Sequence, residues 1–119
     1  MNAIEQAIEA LYEALSGIDG LRVVRGIGVR LDPPAAVVGP PQLVWEGMGS
    51  EPTDATFAVP VVVANTEYAM ADLMVWAPLV AAAVDQVQDM VVRRAEPGSW
   101  PAGSGSDLPA YLITVEVAL

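Results

Sequence analysis

Carboxylates are the only plentiful reactive side chains in this sequence, and three sets of them are spaced for chemistry. Glu5, Glu9 and Glu13 recur every fourth residue, so a helix would line them in one row able to hold a metal or face a partner. Asp85 and Asp89 are also one helical turn apart, the spacing of paired carboxylates for acid–base work. Glu46, Glu51 and Asp54 cluster in a loop-like stretch and offer the oxygen ligands that calcium takes. Each set has a plainer reading. A Glu at every fourth position is the ordinary solvated face of a helix. Asp85 and Asp89 have no third ligand or base nearby in sequence. The loop acids lack the alternating, glycine-closed spacing of a dedicated calcium loop. Gly26 and Gly28 suggest a phosphate cradle, but no third glycine opens a helix after them, so a bulge or bend is the reading. The chain has no His, Cys or Lys, and no Ser sits in a G-x-S-x-G context. The expectation is a protein that is not an enzyme and needs no metal or cofactor.

Composition points instead to association. The hydrophobic fraction is 54% and the mean hydropathy +0.45, against an average apolar usage of about 45–50%. At 119 residues the chain is read as one domain, residues 1–119. Such a domain buries about two-thirds of its unfolded surface, so the excess must meet a membrane or a partner. The longest chargeless run, residues 73–84 (LMVWAPLVAAAV), contains Pro78 and falls short of the ~20 residues of a spanning helix. The start, MNAIEQAIEALYEAL, carries three Glu and no basic region, unlike a signal peptide. A cytoplasmic origin without membrane contact is expected. Fifteen acids against five arginines give a net charge of −10. Such a chain cannot build the basic patch that direct nucleic-acid binding requires.

The elements that must position these residues follow from periodicity. Ile4, Ile8, Leu11 and Leu15 recur at helical spacing, with Asn2 and Glu5 placed as a capping box and Ser16-Gly17 as the stop. A strand follows at residues 21–25, extending towards 31, before Asp32-Pro33-Pro34 and Gly39-Pro40-Pro41 break regular structure. Residues 42–46 (QLVWE) read as a second strand, and 47–55 as a loop. Residues 56–64 form the central strand, with Phe57, Val59, Val61 and Val63 on one face and Ala58, Pro60, Val62 and Ala64 on the other. Both faces are apolar, so both should be covered. Pro60 marks an edge or a bulge.

A long helix is expected over residues 67–92, capped by Asn65 or Thr66. Its stripe is Ala69, Leu73, Trp76, Val80, Val84, Val87 and Val91. Met70, Leu79, Ala82 and Ala83 fill most of its remaining surface. A helix apolar all round is buried on all sides, by the sheet and by a neighbouring subunit. Pro78 predicts a kink or a break. Residues 96–110 read as a low-complexity loop with Trp100 inside it. The last strand, 111–119, directs Tyr111, Ile113, Val115 and Val117 to the core, with Thr114 and Glu116 outward. The fold class is α+β: a mixed, mostly antiparallel sheet flanked by two helices, in the order α-β-β-β-α-β.

This element order, the size and the closing PAYLITVEVAL resemble the tail terminator, or tail completion, proteins of long-tailed bacteriophages. The resemblance spans the chain without a short diagnostic motif. It implies a homo-oligomeric ring of six that caps the tail tube, ends its growth and joins the tail to the head-side connector or head-closure protein, DNA passing through the lumen. It places the protein in the virion neck, and in the host cytoplasm during assembly. Trp76, Leu79 and Val80 are then the expected apolar subunit interface. Arg22, Arg25, Arg93 and Arg94 are expected to set subunit orientation against the acidic surplus. Met48, Glu51 and Trp100 are expected on loops that dock partners. Another phage neck protein, or a small host protein-binding α+β module, is the alternative reading.

Overall fold

A computed structural model describes residues 2–26, 31–101 and 107–119. The element order is α1 (Ala3–Ser16), β1 (Arg22–Arg25), β2 (Ala35–Val38), β3 (Gln42–Val44), β4 (Asp54–Val62), α2 (Ala69–Asp85), β5 (Met90–Trp100) and β6 (Leu108–Ala118). The mixed α+β class holds, with two strands more than the sequence pattern suggested. Residues 27–30, including Gly28, and the Gly/Ser run 102–106 lie outside the described residues.

The six strands form one sheet in the order β1-β2-β4-β6-β5, with β3 also paired to β4. Only β1 and β2 run parallel; every other pairing is antiparallel. The long β4–β6 pairing is the spine: nine register pairs from Asp54↔Ala118 to Val62↔Ala110. On the other edge of β4, β2 meets Val61 and Val62 while β3 meets Asp54 to Thr56. Gly39-Pro40-Pro41 separates those two short strands, so the ladder on that side lapses between Phe57 and Pro60. Pro60 has no N–H to donate, and this gap is where a central strand tolerates it.

Both helices lie on the same face of the sheet. α1 packs over β1 and β2, α2 over β4, β6 and β5, and the two helices touch each other. Between them and the sheet sits the core: Leu11, Leu15, Phe57, Val59, Val61, Val80, Val84, Ile113 and Val115 among others. Among the described residues the opposite face carries no helix. Ala58 there is exposed and Pro60 half-buried, whereas Val62 is buried, so the expectation that both faces of this strand are covered fails at Ala58 and holds at Val62.

Local chemistry explains the boundaries. The Asn2 side chain accepts a hydrogen bond from the Glu5 N–H (2.8 Å), capping α1 as its spacing suggested. Helix α1 ends at Ser16, but Gly17 keeps a right-handed conformation. The left-handed residue is Gly20, with φ +82° and a Trp76 ring atom 3.4 Å from where a Cβ would stand. Helix α2 starts later than expected, at Ala69. Neither Asn65 nor Thr66 is its N-cap; Thr66 instead accepts the Tyr68 N–H through Oγ1 (3.1 Å) in the turn before it. The helix runs through Pro78 without a break and stops at Asp85. Val87 and Val91 continue the apolar period but belong to the following turn and to β5. Asp89 has φ 67°, a conformation that closes a helix rather than extends it. The segment expected as a loop from Glu96 is largely strand. Residues 96–100 pair with 108–112 across the β5–β6 hairpin.

Candidate functional site

Among the described residues, one half of the α2 surface meets the domain and the other half is exposed. Leu73, Ala77, Val80 and Val84 are buried against the sheet and α1. Met70, Ala71, Met74, Val75, Pro78, Leu79 and Ala82 are all exposed. At 100° per residue these seven fall within one continuous half-turn of helix surface. None is charged or polar. Five of the eight large hydrophobic residues exposed among the described residues belong to α2 or to its N-cap, Tyr68. An ordinary surface helix puts charge on this side. A contiguous apolar strip of this kind marks a contact surface.

Of the expected apolar contacts, only Leu79 lies on that strip. Val80 is 0% exposed and belongs to the core of its own chain, so it has no surface to offer a partner. Trp76 is half-buried, packed on the core and against Gly20. The sequence missed Met70, Met74 and Val75 as the strip's main members. Its chargeless run named the helix but not the half-turn that faces the sheet, because both halves are apolar.

The arginines are already engaged. Arg22 pairs with Asp32 (2.7 Å), Arg25 with Glu9 (2.8 Å), Arg93 with Glu116 (2.8 Å) and Arg94 with Glu96 (2.6 Å). Arg25 also makes a second bond from Nη2 to Glu9 (2.9 Å) and lies 3.9 Å over the Tyr12 ring. Its pKa is raised, first by the Glu9 hydrogen bond and also by the Glu9 charge, with burial opposing. Each of the four described arginines thus has an acid within its own chain, whereas the expected role placed them against a neighbour.

Met48 and Glu51 are exposed in the loop between β3 and β4. Thr53 pins the base of that loop, its N–H donating to the Val44 carbonyl and its Oγ1 to the Asp54 carboxylate (2.8 Å for each). Trp100 is half-buried at the far end of β5, opposite Leu108. These residues occupy opposite ends of the sheet, because Leu119 bonds Thr53 at the end where β6 finishes. The two groups expected to dock partners are therefore separated along a molecule measuring 50 × 28 × 23 Å.

The carboxylate sets do not assemble into sites. Asp85 ends the helix while Asp89 lies beyond it, so they are not one turn apart on a helix face. Among the described residues no three acids gather closely enough to hold a metal, and no polar or charged side chain is buried. An open cavity of about 280 Å³ lies between α1 and the start of β5, lined by Ala3, Gln6, Ala7, Asp89 and Met90 among others. It brings no pair of reactive groups together. No protein-family model matches the chain, and no curated protein matches it.

Proposed function

We propose that the chain is a structural subunit of a long-tailed bacteriophage. In this reading it closes head-to-tail into a ring, expected to be hexameric, that caps the tail tube and joins it to the head-side connector. The observation that carries this reading is the uncharged, exposed half-turn of α2 from Met70 to Ala82. With net charge −10, two copies repel at most approaches. The strip is where they meet without bringing acids together. A ring also needs two axial ends for two different partners. The separation of the Met48 loop from the Trp100 end of the hairpin suits that requirement. In a ring of such subunits an acidic lumen repels passing DNA and keeps the channel from gripping it.

The test is tail-tube protein polymerised with and without this chain. Electron micrographs should show an added ring of density at one tube end and an arrested length distribution. Tubes that lengthen equally in both samples, with bare ends, contradict the proposal.

A further inference from the structure

We infer that the exposed strip of α2 docks onto the helix-free face of the sheet of the next copy, so that the ring is held by helix-on-sheet contacts repeated in one direction. This rests on the self-assembly reading and adds the surface that receives the strip. A closed ring uses two different complementary patches on each subunit. Among the described residues the domain has two layers, with α2 exposed outward on one and the back of the sheet open on the other around Ala58, though buried at Ala35, Val37, Val62 and Ala110.

The register defines that back. Because Phe57, Val59 and Val61 face the helices, the pairs Thr56↔Glu116, Ala58↔Thr114 and Pro60↔Leu112 face away. Val91 and Arg94 of β5 join them opposite Glu116 and Thr114. Val62 and Ala110 at one end of this face, and Ala35 and Val37 of β2 beside them, are already buried, so the free floor is confined to β4, β6 and β5, from the Asp54 row to the Pro60 row. Its middle is small and mostly uncharged: Ala58, Thr114, Pro60 and Thr56. Bulky Met70, Met74, Val75 and Leu79 can settle against such a floor.

Size and charge agree with this pairing. Four rows of an antiparallel sheet span about 20 Å. Met70 to Ala82 along a helix spans about 18 Å. Two acids of the floor are paired in place, Glu116 with Arg93 and Glu96 with Arg94, while Asp54 in its end row accepts the Thr53 hydroxyl. A strip uncharged from Met70 to Ala82 therefore meets, over the Thr56 to Pro60 rows, only acids that already hold an arginine. A strip against a strip, the symmetric alternative, would pair two copies and leave the back of both sheets bare. The contact is narrow beside the ~800 Å² per partner of a standard interface, so a single contact holds weakly and closure of the ring stabilises it.

The chain has no cysteine, so introduced thiols report cleanly. Val75→Cys and Ala58→Cys chains are mixed at an associating concentration, or on tube ends, and treated with a short bismaleimide. Mass is measured by light scattering before the reagent is added. The expected result is a covalent dimer from the mixture, none from either variant alone, and a ladder up to the full ring from the double variant. Dimers from Val75→Cys alone overturn the proposal in favour of strip-on-strip pairing. Dimers from Ala58→Cys alone overturn it in favour of sheet-on-sheet pairing. A ring-sized particle with no mixed product overturns this contact and leaves the ring standing. A monomer under every condition overturns both.

Discussion

Val75 and Trp76 are adjacent in sequence and meet different surroundings, which makes them a sharp pair of probes. Val75 is exposed on the strip, whereas Trp76 packs on the core and beside Gly20. Val75→Asp should leave the melting of the isolated domain within about 0.5 kcal/mol of wild type. It should abolish association, because an unpaired charge in an apolar contact costs several kcal/mol. Trp76→Asp should instead destabilise the fold itself by about 2–4 kcal/mol in a urea titration. If Trp76→Asp spares folding and blocks assembly, while Val75→Asp does neither, the assignment of the two sides of α2 is reversed. Among the charged residues, Arg93→Ala removes one exposed ion pair and should cost under about 1 kcal/mol of stability.

At the scale of elements, α2 carries a conflict between its local sequence and its task. Pro78 lies inside the helix and is exposed. A proline in a helix interior removes one hydrogen bond and costs about 3 kcal/mol. Pro78→Ala should therefore raise domain stability by about 1–3 kcal/mol, read as a higher urea midpoint with unchanged slope; a fall would mean that the ring shape packs against something essential. The turn after the helix holds a smaller strain. Asp89→Gly should stabilise by up to about 1 kcal/mol, because Asp89 sits at positive φ, and a destabilised Gly variant would assign the Asp side chain a bonding role.

How far these elements could be read from sequence depended on whether local pattern or long-range pairing decides them. Helix α1, β4 and β6 were legible because strong periodicity coincides with a core face, as in Ile113, Val115 and Val117. The outer half of β5 was not, since Pro97 and Gly98 signal a loop and only the ladder to β6 makes them strand. Strand β2 was missed because four residues, AAVV, stand between two proline breaks. The end of α2 was overshot because Val87 and Val91 keep its period by accident of the next turn. The site was half legible: the chargeless run pointed to α2, but the buried half of the helix could not be told from the free half. The internal partners of the arginines, sixteen residues apart for Arg25 and Glu9 and twenty-three for Arg93 and Glu116, leave no mark in local sequence.

For the whole molecule, charge and apolar area act in opposition. In the proposed ring, copies carrying −10 each repel one another and the uncharged strip is what draws them together. Raising the salt from about 50 mM to about 500 mM shortens the Debye length several-fold and screens that repulsion. Association through the strip should therefore strengthen with salt. Arginine–acid pairs across the interface would make it weaken instead, so sedimentation at the two salt concentrations separates the contacts. The most direct measurement is the light-scattering mass of wild type beside Val75→Asp, each alone and with tube ends. The account predicts a particle of about 74 kDa, six 12.4 kDa chains, for wild type and 12.4 kDa for the variant. A wild-type chain that stays at 12.4 kDa and leaves tube ends bare, or a variant that assembles equally well, contradicts it.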